Sequence, residues 1–204
     1  MIRRIIDVVV SWIVLILCLP VFLLVAVAIR LDSAGNVIYR GWRIGKDGRR
    51  FRMLKFRSMV VNADRGGPVV TSKVDSRITG VGRFLRATKL DEFPQFWNVL
   101  IGDMTLIGPR PESPEIVALY TPEQRRVLSV RPGLTGPSQI SCTVDESMAV
   151  LSSEAAEQYY IQHVLDRRLA IDADYIQNRG LFSDLSLIGR TLGLILRAFL
   201  GGAL

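Results

Sequence analysis

Val8-Val9-Val10-Ser11-Trp12-Ile13-Val14-Leu15-Ile16-Leu17-Cys18-Leu19-Pro20-Val21-Phe22-Leu23-Leu24-Val25-Ala26-Val27-Ala28-Ile29 is 22 residues without a charge. As one straight helix it would run ~33 Å, enough to cross a bilayer. Two features favour a different path. Pro20 sits just past the middle, where it removes a backbone hydrogen bond and kinks the helix into halves of ~15–18 Å, about one leaflet deep. Both flanks are also basic. Arg3 and Arg4 precede the run, and Arg30, Arg40, Arg43, Lys46, Arg49, Arg50, Arg52, Lys55 and Arg57 follow it, against only Asp32 and Asp47. Basic flanks stay in the cytoplasm. A re-entrant segment that bends at Pro20 and leaves on the face it entered satisfies both features. A spanning helix and a cleaved leader ending at Ala26-Val27-Ala28 are the alternatives. The run is long for a leader, and the basic stretch behind it resists export.

The composition agrees with a membrane contact. At 204 residues the chain is long enough for one domain with a real core plus an appendage. It is 49% hydrophobic, with a mean hydropathy of +0.28. A net charge of +7 suits nucleic acid, anionic lipid or phosphorylated substrates. Aromatic and basic residues are not interleaved as in nucleic-acid signatures, so no nucleic acid is expected. Cys18 lies in the apolar run and Cys142 far from it. That supports neither a disulfide framework nor a zinc site, and it fits a reducing compartment.

Past the apolar run, Val37-Ile38-Tyr39 reads as a short strand. Asp47-Gly48 reads as a turn, and Phe51-Arg52-Met53-Leu54-Lys55-Phe56 as a second strand, giving a β-hairpin. Lys55 and Arg57 alternate with apolar neighbours and are expected to converge on one face. Gly41 to Lys46 fails as a phosphate loop: only three residues separate Gly41 and Gly45, and Asp47 replaces the required Ser or Thr. Residues 62–79 read as a loop able to cover a site.

Leu90-Asp91-Glu92-Phe93-Pro94-Gln95-Phe96-Trp97-Asn98 carries the chemistry. Phe93, Phe96, Trp97, Leu100 and Ile101 recur at helical spacing and predict a buried face. Pro94 suits a first turn and Gly102 a stop. Asp91 and Glu92 then fall at a helix N-terminus, whose dipole keeps Asp91 ionised. Such a carboxylate is a metal ligand, a nucleophile or only a helix cap. Arg86 lies five residues upstream. Arg110 is held extended between Pro109 and Pro111. Both suit phosphate, with an Arg–Glu ion pair the plainer role for Arg110. Arg131 to Pro137 is a second rigid loop. Glu154 to Gln177 reads as a helix whose His163, the sole histidine, is structural. The apolar tail from Leu185 reads as an amphipathic helix on the bilayer, or as a packed core helix.

Together these residues resemble the monotopic phosphoglycosyl transferase family, also called bacterial sugar transferases. The resemblance covers nearly the whole chain. It rests on the proline-broken apolar helix, Lys55-Phe56-Arg57-Ser58-Met59, the stretch from Leu90 to Leu100, Gly102-Asp103-Met104, Gly108-Pro109-Arg110-Pro111 and Arg131-Pro132-Gly133-Leu134-Thr135-Gly136, in that order. One departure is Leu19, where members often place a small polar residue before the proline. The length matches the family's minimal form.

The resemblance implies a helix-rich mixed α/β fold. Residues 1–30 form a re-entrant membrane helix hinged at Pro20. Residues 31–184 form a catalytic domain with a small β-hairpin and amphipathic interfacial helices, and residues 185–204 an amphipathic C-terminal helix. It also implies a reaction: sugar-1-phosphate moves from a UDP-sugar to polyprenyl (undecaprenyl) phosphate, and UMP is released. Asp91 is then the nucleophile and a ligand of Mg²⁺. Glu92 supports it by handling the acceptor's proton, and Lys55, Arg57, Arg86 and Arg110 hold phosphate. Expected partners are the inner leaflet, a second copy in a homodimer, and downstream glycosyltransferases, at the cytoplasmic face of the bacterial inner membrane. The rival reading is a non-catalytic, basic, membrane-anchored adaptor. No linear motif names the sugar.

Overall fold

The apolar run folds as two helices. The computed structural model describes residues 2–63, 67–68, 70–72, 74–142 and 151–199. Helix α1 (Ile2–Leu17) and helix α2 (Leu19–Asp32) meet at 60°. Pro20 lies in the first turn of α2, where its missing N–H is one of the orphans that any helix start leaves. Cys18 N donates to Val14 O and Phe22 N to Cys18 O, both at 2.9 Å, so the chain stays helical up to the bend on each side. Among the described residues no single helix is long and apolar enough to cross a membrane; the bent pair together has that length and composition.

Helix α1 is inside-out. Ser11 and Asp7 are 0% and 5% exposed, whereas Trp12 and Leu17 are 59% and 73% exposed. Asp7 and the half-buried Arg4 tie the helix to the rest of the protein. Asp7 accepts from Leu106 N at 3.0 Å and Thr105 Oγ1 at 2.8 Å. Arg4 donates to Val99 O at 2.5 Å and Leu100 O at 2.7 Å. Those are C-terminal carbonyls of helix α4 (Gln95–Ile101), which a helix end otherwise leaves to solvent.

Strands β1 (Ile38–Ile44) and β2 (Arg50–Phe56) form the hairpin, with Trp42 opposite Arg52. Asp47 and Gly48 turn it at φ values of 56° and 75°. Strand β1 runs well past Tyr39: pairing with β2 recruits Arg40, Gly41 and Arg43, which have little strand preference of their own. Phe56 of β2 and Leu85 of helix α3 (Gly80–Ala87) pack with Val25 and Ile29 of α2. Phe22 meets the Phe56 ring edge-on at 5.4 Å. Leu85 is 1% exposed, and burying it is worth about 2 kcal/mol. The bent pair is therefore clamped to the domain.

The two rigid proline–glycine stretches meet as strands β3 (Thr105–Ile107) and β4 (Gly133–Thr135), paired in parallel. The approach is close: a Cβ on Gly136 would stand 2.1 Å from Gly108 O. Helices α5 (Pro114–Ala118), α6 (Pro137–Ser141), α7 (Ser153–Tyr159) and α8 (Leu165–Asn178) complete the described fold with α9 (Leu181–Phe199). A π-helical turn, Tyr160–Val164, interrupts the single helix expected from Glu154 to Gln177. His163 is exposed and stacks on Tyr159 at 4.6 Å.

Helix α9 has one packed side and one exposed apolar side. Leu187 enters the core, while Phe182 is 89% exposed and Leu185, Leu192 and Leu196 are also outside. Asp184 binds it to its neighbours, pairing with Arg3 Nε at 2.8 Å and accepting from Tyr175 Oη at 2.6 Å. Residues 200–204 of the expected tail, and residues 64–66, 69 and 73 of the expected covering loop, lie outside the described residues. The architecture is helix-rich mixed α/β, with two two-stranded sheets among the described residues.

Candidate active site

Helix α3 starts at Thr79, whose Oγ1 accepts from Gly82 N at 3.0 Å. Gly82 is dictated by proximity: a Cβ there would stand 2.0 Å from Ser58 O. This contact presses α3 onto the end of β2. Arg86, one turn further on, donates from Nε to Ser58 Oγ at 2.9 Å. The chain then reverses at Lys89 and makes a 3₁₀ turn, Leu90–Glu92, before α4.

Asn98 sets how this turn faces the hairpin. It is 1% exposed. Its Oδ1 accepts from Leu54 N at 2.9 Å, and its Nδ2 donates to Arg52 O at 2.8 Å and Asp103 Oδ2 at 3.3 Å. One amide thus satisfies two main-chain groups of β2 on either side of Met53 and fixes α4 beside Lys55. Lys55 Nζ then reaches Glu92 Oε1 at 3.2 Å.

The expected apolar face of α4 is buried only in part: Phe93, Phe96 and Leu100 are half-buried, with Phe96 packed on the core. Gln95, Asn98 and Val99 point inward at 2%, 1% and 0% exposure, while Trp97 and Ile101 are about half exposed. Together with Asp91 they make a buried stripe at i, i+4, i+7 and i+8. Of this stripe only Asp91 lines the cavity; Asn98 faces β2, and Phe93 and Phe96 are the neighbours that reach the cavity.

Asp91 is 6% exposed, and its Oδ1 has no hydrogen-bond partner among the described residues. Helix α4 begins only at Gln95, so Asp91 lies one turn short of the helix start on which its ionisation was expected to depend. Burial, with the adjacent Glu92 charge, pushes the Asp91 carboxyl above its ordinary range; Lys55, Arg86 and Lys89 pull it down, but by less. Burial also pushes Glu92 upward, but Lys55, Arg110 and Lys89 outweigh it and hold that carboxyl at about 2. The two neighbouring acids are thus driven apart, a pattern of groups with different tasks.

Arg110 comes from the β3–β4 side. Its guanidinium makes no ion pair among the described residues and lines the same cavity as Asp91 and Glu92. Behind it, Asp172 is 3% exposed and accepts from Ser138 Oγ at 2.9 Å, with further support from the Arg110 backbone N–H. Burial pushes Asp172 up to about 6 in spite of these bonds. Glu112 accepts from Tyr160 Oη at 2.6 Å, and against burial its charge, after that of Glu92, raises the Arg110 guanidinium above its ordinary range.

Arg57 is expected on the same face as Lys55. It is 7% exposed and donates to Ala34 O at 2.8 Å, Ser33 O at 2.6 Å and Ser33 Oγ at 3.0 Å. The α2–β1 linker thus takes up its terminal nitrogens, so Arg57 lines the same cavity as Lys55 with those nitrogens already committed. It lies just beyond β2, where alternation no longer governs direction. Lys55, Arg86, Arg110, Asp91 and Glu92 do come together, around an open cavity of about 2000 Å³. Basic side chains lining it outnumber acidic ones eleven to four, which suits phosphate.

Mg²⁺ fits these residues. Among the described residues no three His, Cys, Asp or Glu side chains cluster as a metal cage. Mg²⁺ does not require one: it takes one or two carboxylates, substrate phosphates and water. Asp91, which lines the phosphate-suited cavity and has one carboxylate oxygen without a hydrogen-bond partner, is a hard donor of the type Mg²⁺ takes.

The chain belongs to the bacterial sugar transferase family, whose sequence pattern matches residues 1–198. It is similar to the UDP-glucose:undecaprenyl-phosphate glucose-1-phosphate transferase of Klebsiella pneumoniae, at 37% identity over 198 residues, covering 93% of this chain and 39% of that one. It is similar to the transferase of the same name in Caulobacter vibrioides, at 37% identity over 193 residues, covering 93% of this chain and 68% of that one. It is 36% identical over 205 residues to the UDP-N-acetylgalactosamine-undecaprenyl-phosphate N-acetylgalactosaminephosphotransferase of Aeromonas hydrophila, covering 97% and 44%. The chain therefore spans less than half the length of the Klebsiella and Aeromonas relatives.

Proposed function

We propose that this chain transfers a sugar-1-phosphate from a UDP-sugar to undecaprenyl phosphate through a covalent phosphosugar on Asp91. The observation that carries the reading is the buried Asp91 carboxylate, with one oxygen unpartnered, on a cavity rich in cations. An Asp91 oxygen attacks the sugar-bearing phosphorus, the anhydride P–O bond breaks, and UMP leaves with the electron pair. An oxygen of the lipid phosphate then attacks the same phosphorus. The acyl–phosphate P–O bond breaks, and the Asp91 carboxylate is restored. Lys55, Arg86 and Arg110 hold the phosphoryl charge in both steps. The second pKa of a phosphate monoester is about 6, so the acceptor arrives largely as a dianion and needs no base. Glu92, held ionised, is assigned to fixing Lys55. Asp91 would hold Mg²⁺, which would supply charge neutralisation for the phosphoryl groups.

The acceptor is a membrane lipid, and the 60° bend, the basic flanks and the exposed apolar sides of α1 and α2 support a re-entrant insertion from the cytoplasmic face. Labels placed ahead of Ile2 and after Phe199 should both react only from the cytoplasmic side; an N-terminal label reacting from outside would replace this topology with a spanning one.

Purified protein, given a panel of UDP-sugars, undecaprenyl phosphate and Mg²⁺, should release UMP in amounts matched by lipid-linked sugar. Initial-rate lines should be parallel as both substrates vary. Intersecting lines would mean direct attack of lipid phosphate on the donor. No UMP from any UDP-sugar would leave the adaptor reading.

A further inference from the structure

We propose that Lys89 is a docking cation for the phosphate of the lipid acceptor, an inference that rests on the transferase reading above. Lys89 joins α3 to the turn that carries Asp91. Its N–H donates to Arg86 O at 3.3 Å to close α3, and its carbonyl accepts from Glu92 N at 3.2 Å to open the turn. It does so at φ 59° and ψ 11°, the left-handed region in which glycine is the usual occupant of a helix end. The residue that bears this strain carries a long cationic side chain, exposed and lining the same cavity as Asp91. Strain held at a ligand-facing position is a mark of functional sites.

Two further observations assign its ligand. First, Lys89 makes no ion pair among the described residues, unlike Lys55, which is committed to Glu92 at 3.2 Å. Its charge acts on Asp91 and Glu92 only at a distance, so the ammonium group stays open to an anion from outside. Second, it stands where a lipid would arrive. Helix α3 packs Leu85 on Val25 and Ile29 of α2, and its Phe84 is 59% exposed, continuing the apolar surface of the bent pair. Lys55 and Arg110 instead belong to β2 and the β3–β4 side. A phosphate monoester held on an apolar chain along α2 and α3 meets Lys89 next to Asp91. A lysine, a point charge on a flexible stem, suits a headgroup whose lipid tail moves.

The test uses the full chain in detergent or nanodiscs at pH 8, with Lys89→Gly and Lys89→Arg. The glycine variant removes the charge and relieves the left-handed strain, so its Tm should equal or exceed that of the parent. Its KM for undecaprenyl phosphate should rise ~10-fold, the loss of one charge-assisted contact, while its KM for the UDP-sugar matches the parent. Lys89→Arg should restore the acceptor KM. An unchanged acceptor KM in the glycine variant overturns the proposal. So does an equal rise in both KM values, which would place the charge on the donor. A parent enzyme that forms no adduct would remove the covalent step, yet the two KM values would still decide the role of Lys89.

Discussion

Asp91→Asn is expected to lower sugar-phosphate transfer by ~10⁴-fold or more and to abolish the phosphosugar adduct, because an amide of the same shape has no nucleophilic oxygen at neutral pH. The same substitution should leave Tm at pH 7.5 equal to or above that of the parent. The sign follows from the carboxyl's environment. Burial raises Asp91 above the ordinary carboxylate range, so the folded chain holds that proton more tightly than the unfolded chain does. The stabilisation this provides is fully present below the unfolded value and is lost as pH rises through the folded value. At neutral pH the parent therefore keeps a buried charge that Lys55, Arg86 and Lys89 offset only in part, a cost that the asparagine variant avoids. Activity against stability is a frequent trade at reacting groups. Thermal melts and adduct trapping on the same samples check both halves. Retained transfer would remove Asp91 from the nucleophile role. A markedly lower Tm would make its carboxylate structural.

Lys55→Met should lower kcat/KM by ~10²–10³-fold, the usual loss for one electrostatic contact to a transferring phosphoryl group. It should also move the acid limb of the pH profile upward. Lys55 is the foremost charge holding the Asp91 proton loose, and it does the same for Glu92. Without it Asp91 binds its proton more tightly, and less of it is ionised at any given pH near its titration. The deficit at pH 6 should therefore exceed that at pH 8. Methionine keeps most of the stem's length and packing. A profile lowered equally at every pH would show that Lys55 acts on the substrate alone and not on the nucleophile.

Much of the site was legible because its residues are close in sequence or flanked by rigid neighbours. Asp91 and Glu92 are adjacent, Arg86 is five residues away, and Pro109 and Pro111 bracket Arg110. The misplaced side chains share a cause. Helical periodicity tells which residues share a face, but not which face points inward. In α4 the apolar repeat is split: Trp97 and Ile101 are outside and Phe96 is half-buried, while Gln95 and Asn98 are inside. Arg57 was grouped with Lys55 by alternation, but Ser33 and Ala34, brought near by the α2–β1 turn, take its hydrogen bonds.

By itself the sequence determined the break in the apolar run, the hairpin, the helix after Pro94 and the set of charged groups suited to phosphate. These follow from local rules: a proline's missing N–H, a positive-φ turn, a repeat of apolar residues. Only the tertiary structure decided the parallel pairing of β3 with β4, the seating of Asn98 on β2, the left-handed turn at Lys89 and the burial that raises Asp91. Each depends on groups far apart in the chain meeting in a space that excludes water, where hydrogen-bond satisfaction and desolvation outweigh local preference.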